Sequence, residues 1–206
     1  MSSSQVLVLA TRNPKKAKEL QELFASSLCQ VKTLEEFSGL PHVVEDGETF
    51  AQNAIKKAII ISQKIPFHVI ADDSGLEVEA LKGVPGIYSA RYAEEKGGKA
   101  SDKANCEKLL KAMVSTTNRK AQFRCVLAIA LQGKLLFTAE GICLGNIITE
   151  FRGTLGFGYD PLFVPEGYEK TFAELPVEIK NQISHRAQAT KQLKSWLDGR
   201  ILISEN

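Results

Sequence analysis

The chain has 206 residues, 44% of them hydrophobic and 24% charged, with a formal net charge of +2. That charge is too small and too evenly spread to bind a nucleic-acid backbone. A chain this long also buries about 70% of its unfolded surface without disulfide staples. Cys29, Cys106, Cys125 and Cys143 lie far apart with no CxxC pair, so they read as reduced, mostly buried thiols. No apolar stretch approaches a membrane span, and Met-Ser-Ser-Ser-Gln does not read as a signal peptide. The expectation is a single cytoplasmic domain over 1–206, with neither nucleic acid nor membrane as partner.

Residues 5–10, QVLVLA, suit a buried strand that ends in Thr11-Arg12-Asn13-Pro14-Lys15-Lys16. Asn13 can cap a following helix, Pro14 fits its first turn, and Leu20, Leu23 and Phe24 supply an apolar face. A strand, a polar turn and a helix start bring backbone N–H groups and the helix dipole together. Thr11, Asn13, Lys15 and Lys16 add donors, which makes an anion site. The glycines of a Walker loop are missing. Residues 31–34 suit a second strand. A helix over 48–63, capped by Thr49 or Asp46, is expected to bury Phe50, Ala54, Ile55, Ala58, Ile59 and Ser62. Glu45 precedes it, where the dipole alone already favours an acid.

Val69, Ile70 and Ala71 then aim a strand at Asp72 and Asp73, with Ser74 and Gly75 expected to turn the chain. Carboxylates at the exit of a buried strand are costly unless a cation or donors compensate them. A metal site and a simple turn cap both remain open on this evidence. Gly83-Val84-Pro85-Gly86 is a turn signal, and residues 94–100 read as an exposed loop. A helix runs from 101 or 102 to 113, with Leu109, Leu110 and Met113 inward. Residues 123–131 and 135–142 form a hairpin around Gln132-Gly133-Lys134, apolar on both faces and without evident chemistry.

The loop over 152–161, RGTLGFGYDP, lets backbone approach a ligand closely and offers Phe157 and Tyr159 as stacking faces. Ser184 opens a last helix whose inner face carries Ala187, Thr190, Leu193 and Leu197. Lys180, His185 and Arg186 cluster at its start. Acids suit a hard divalent cation, lysines at a helix start suit a polyphosphate, and glycines with an aromatic suit a base. Their sum points to a nucleoside triphosphate. Three histidines without paired spacing argue against zinc, and no Ser-His-Asp or Cys-His arrangement stands out.

The segments ATRNPKKAKEL, EDGETFAQNAIKKA, ADDSGLEVEALKGVPGIYSARY, GTLGFGYDPLF and ISHRAQA follow the order and spacing of the inosine-triphosphate pyrophosphatase family, which the chain resembles over about 5–197. The resemblance implies an α/β fold. It would be a single domain of two lobes around a mixed, elongated β-sheet with flanking helices and a central substrate cleft. It also implies a homodimer that uses Mg²⁺ to convert non-standard purine triphosphates (ITP, dITP, XTP) to the monophosphate plus pyrophosphate. On that resemblance, Thr11, Arg12, Asn13, Pro14, Lys15 and Lys16 would hold phosphates, and Glu45 and Asp73 would bind the metal. Asp73 would handle the attacking water, and Ser74 would touch substrate. Phe157, Gly158, Tyr159 and Asp160 would line the base pocket, completed by Lys180, His185 and Arg186. Lys15 and Leu155 replace glycines common in the family's motifs, which bears on substrate preference. A nucleotide sensor without turnover and a pyrophosphatase for other bases are the competing readings.

Overall fold

In the computed structural model, the described residues are 6–25, 27, 29–94 and 100–201, without the side chains of the last two. The expected loop over 94–100 therefore lies mostly outside them. Strand β1 (Val6–Leu9) leads into α1 (Pro14–Phe24), and β2 (Gln30–Thr33) follows. Next come α2 (Phe50–Ser62), β3 (His68–Val78) and α3 (Asp102–Ala112). The hairpin β4 (Lys120–Leu131) and β5 (Lys134–Ile147) precedes β6 (Phe163–Pro165), α4 (Val177–Ile183) and α5 (His185–Ile201). The strands form one six-stranded sheet in the order β2-β1-β3-β4-β5-β6. The sheet is mixed: β1 runs parallel to β2 and β3, whereas β5 and β6 are antiparallel. The α/β class with a mixed sheet and flanking helices is as expected.

Two compact units divide the chain. The first comprises 1–73, 125–141 and 186–206; the second comprises 74–124 and 142–185. The core of the first gathers Leu7 and Leu9 of β1, Leu20 and Phe24 of α1 and Ile70 of β3. Cys125, Leu127 and Ile129 of β4 and Ala189, Leu193 and Leu197 of α5 complete it. The core of the second gathers Leu76 and Val78, Cys106, Leu109 and Met113, and the aromatic group Phe123, Phe163 and Phe172. Local chemistry explains most boundaries. Asn13 Oδ1 accepts from the Lys15 and Lys16 amides, Thr49 Oγ1 accepts from Gln52 N, and Ser101 Oγ accepts from Ala104 N. Gln132 and Gly133 both take positive φ, so the hairpin closes on two residues rather than three.

The expected turn at Ser74-Gly75 is absent, because β3 runs unbroken through both residues. Gly75 serves close packing instead. A Cβ there would lie 2.5 Å from the Gly86 carbonyl oxygen and would overlap the Ser89 hydroxyl, which accepts from Leu76 N at 2.9 Å. Gly75→Ala is therefore expected to destabilise the protein by about 1–3 kcal/mol through overpacking. A urea-denaturation midpoint equal to the parent's would contradict this. The buried face of α2 is also rotated from expectation: Ile55 and Ile59 are only part-buried, whereas Asn53, Lys57 and Ile61 are buried.

Candidate active site

The polar centre of the first unit starts from β3. Alternation along a strand sends Asp72 and Asp73 to opposite sides, and their partners differ accordingly. Asp72, 1% exposed, accepts from Lys16 Nζ at 2.5 Å through Oδ1 and from Arg186 Nε at 3.0 Å through Oδ2. The Cys125 thiol also donates to Oδ2, at 3.1 Å. Burial alone would push the Asp72 carboxyl up, but the Arg186 and Lys16 charges outweigh it and hold it well below the usual carboxylate range. Arg186 is bound in turn by Glu19 of α1. The hairpin, expected to carry no chemistry, thus supplies a thiol to this network. Burial and the Asp72 charge push that thiol well up, which makes it an inert hydrogen-bond donor rather than a nucleophile.

Asp73, 5% exposed, faces α2. Asn53 Nδ2 donates to its Oδ2 at 3.0 Å, and Lys57 Nζ lies 3.9 Å from its Oδ1. The same ammonium pairs with Glu45 and donates to the Asp72 carbonyl oxygen at 2.7 Å. Glu45 and Asp73 therefore face one cationic point. Burial raises the Asp73 carboxyl above its ordinary value, against the pull of Lys16 and Lys57 and with the help of Glu45. A hard cation fits this donor set, since two carboxylate oxygens already balance a positive charge between them. Among the described residues no group of three or more His, Cys, Asp or Glu side chains gathers for a metal. The pair thus matches a cation that takes one or two protein carboxylates.

The turn before α1 is ordered by its own groups. Thr11 Oγ1 accepts from Asn13 N at 3.2 Å, and Arg12 donates to the carbonyls of Leu40 and Pro41 at 3.1 and 3.4 Å. Pro14 opens the helix; it and Lys15 are exposed, while Lys16 turns inward to Asp72. The structure thus gathers Lys16, Arg186 and Glu45 around the Asp72–Asp73 pair. Asn53, Lys57 and Glu19 join them without having been anticipated. Asn53 and Lys57 sit four apart on the stripe that Phe50, Ala54, Ala58 and Ile61 define, a face the fold reveals.

In the second unit the glycine-rich loop folds around Asp160, which is 3% exposed. Its Oδ2 accepts from Phe157 N at 2.8 Å and from Lys180 Nζ at 2.5 Å. Gly156 takes a φ of 72°, and a Cβ there would overlap that same oxygen. Lys180 Nζ stands 5.1 Å from the Phe157 ring centroid, so the part-buried ring already has a cation on its face. Gly158 N donates to Asp102 Oδ2 at 3.0 Å, tying the loop to the start of α3. Tyr159 packs in the core with its hydroxyl donating to Ser89 O at 2.9 Å. His185 stacks on Phe123, with centroids 4.8 Å apart and planes 12° from parallel. Ser74, part-buried, follows Asp73 along β3. Lys180, His185 and Arg186 are all buried, where a surface cluster would be solvated.

The carboxylate–ammonium centre thus sits midway along β3, which pairs in parallel with β1, in a mixed sheet of an α/β protein. The chain belongs to the Ham1 family, whose sequence profile matches residues 7–196, as its motifs led us to expect. A Desulforamulus reducens protein named dITP/XTP pyrophosphatase is 52% identical over 194 residues, covering 93% of this chain and 95% of its own. A Desulfotalea psychrophila protein of the same name is 47% identical over 203 residues, covering 95% and 90%. Among solved structures, a HAM1 protein from Coxiella burnetii superposes with a TM-score of 0.84 at 38% identity, over 95% of this chain and 99% of that one. The Staphylococcus aureus Ham1 protein gives 0.83 at 41%, over 95% and 100%.

Proposed function

We propose that the protein is a Mg²⁺-dependent nucleoside-triphosphate pyrophosphohydrolase. It acts on ITP, dITP and XTP in the cytoplasm, as a homodimer, and releases the monophosphate and pyrophosphate. The observation that carries this reading is the Glu45–Lys57–Asp73 arrangement, two carboxylates around one cationic point beside the middle of β3. The relatives named dITP/XTP pyrophosphatases support the substrate class.

Glu45 and Asp73 would hold Mg²⁺, which when bound neutralises phosphate charge and acidifies water. Lys15 and Lys16 would bring positive charge to the phosphates, since phosphoryl chemistry asks mainly for positioning and electrostatics, while Asn13 caps the first-turn N–H groups of α1. Asp73 would also take the proton of the attacking water. Phe157 would stack on the purine, with Lys180 and His185 as candidate donors to its 6-keto edge, whereas Arg186 is committed to Asp72 and Glu19. An adenine amino group would leave such donors unpaired, which disfavours ATP.

The test incubates the purified protein with ITP, dITP, XTP, GTP and ATP in Mg²⁺ and follows pyrophosphate and orthophosphate separately. Pyrophosphate release from the keto purines, with ATP at least about a hundredfold slower in kcat/KM, is the expected outcome. Orthophosphate as product, or equal use of ATP, contradicts it.

A further inference from the structure

We infer that Asn53 is the positioning residue that presents one chosen oxygen of Asp73 to the Glu45 side of the centre. The inference rests on the reading of Glu45 and Asp73 as the cation- and water-handling pair. Asn53 is 1% exposed in the middle of the buried stripe of α2, and both ends of its amide are committed. Nδ2 donates to Asp73 Oδ2 at 3.0 Å, and Oδ1 accepts from Gly47 N at 2.8 Å. Gly47 lies two residues beyond Glu45. One short side chain thus ties the segment bearing one carboxylate to the other carboxylate itself.

The chemistry of the two ends explains why an amide stands there. Asp73 needs a donor and the Gly47 amide needs an acceptor, and an uncharged amide supplies both without adding charge. With Oδ2 engaged by Asn53, Oδ1 is the oxygen left facing the Lys57 ammonium that also binds Glu45. A carboxylate free to rotate would spread its occupancy over both oxygens, whereas this one is held with Oδ1 forward. Gly47 is part of the same device. A Cβ there would lie 2.8 Å from Asn53 Oδ1 and from Gln52 Cβ, so any side chain displaces the amide. Lys57, one turn further along α2, approaches the same carboxylate from its other oxygen. The helix therefore meets Asp73 with one hydrogen bond and one more distant charge.

The experiment compares full-length Asn53→Ala and Gly47→Ala with the parent. Steady-state kinetics on ITP give kcat and KM, calorimetry gives Mg²⁺ binding to the substrate-free protein, and circular dichroism gives melting temperature. A positioning role lowers kcat by about 10–100-fold and weakens Mg²⁺ binding by a similar factor, with KM for ITP changed less than about threefold. Folded variants with kcat within about twofold of the parent, or a loss carried by KM alone, overturn it. If Asn53→Ala fails to fold, Gly47→Ala decides; if both fail, Asn53 is a structural residue and the inference falls. If the parent releases no pyrophosphate from any triphosphate, the proposed function fails separately, and Mg²⁺ calorimetry alone decides the role of Asn53.

Discussion

Asp73→Asn is expected to lower kcat on the best triphosphate by at least about a thousandfold while the protein stays folded. The substitution is isosteric, and the new amide can turn its oxygen toward Asn53 Nδ2, so the 3.0 Å hydrogen bond in the parent has a neutral counterpart. Lys57 keeps Glu45 and the Asp72 carbonyl as partners. What disappears is the negative charge that would hold the cation and the basic oxygen that would take the water's proton. General-base catalysis alone contributes about 10²–10⁴-fold, and losing a metal ligand adds to that. Burial raises the parent carboxyl, so its removal relieves a desolvation cost, and the melting temperature should stay level or rise. An Asp73→Asn protein within tenfold of parental kcat would remove Asp73 from the chemistry. A collapse of the melting temperature would make it a structural acid.

How much of this was legible beforehand follows from which physical signals are local. The start of α1 was readable because Asn13 and Pro14 act on the backbone within three residues of themselves. The hairpin was readable for the same reason, its strand faces being apolar on both sides and Gln132-Gly133 supplying the turn. Ser74-Gly75 misled because glycine signals either a turn or a close backbone approach, and only the distant Ser89 and Gly86 decide between them. Reading a turn there also hid the distinction between the two acids. Once β3 continues through them, pleat alternation assigns Asp72 and Asp73 to different partners. Asn53 and Lys57 were hidden by their neighbours: Ile55 and Ile59 drew the expected stripe to one side, while the buried one runs through two polar residues. Their burial makes sense only beside Asp73, twenty and sixteen positions away, which no local pattern encodes. The burial of Lys180 and Arg186 was not legible because their counter-charges, Asp160, Asp72 and Glu19, lie far away in the chain.

Asp72→Asn is expected to be the most destabilising single change in the centre, and its effect should depend on pH. The parent carboxylate sits between Lys16 and Arg186, all three largely withdrawn from water, and also receives the Cys125 thiol. Removing one member of a buried ion pair leaves uncompensated charge and typically costs about 3–5 kcal/mol. Arg186 retains Glu19, so Lys16 bears most of the loss. The sign of the pH effect follows from the depressed carboxyl of the folded state. A carboxyl whose folded pKa lies below its unfolded value of about 3.9 contributes stability that is complete above that value. The contribution fades as pH falls toward the folded pKa, because the folded state must then take up the proton it had excluded. The parent's advantage over Asp72→Asn in urea denaturation should therefore be full at pH 7 and shrink below about pH 4. Turnover should fall as well, because Lys16 would lose the carboxylate that holds it in place. Equal stability at pH 7, or an advantage that persists unchanged into acid, would show that the Lys16–Asp72–Arg186 network does not hold β3 to α1 and α5.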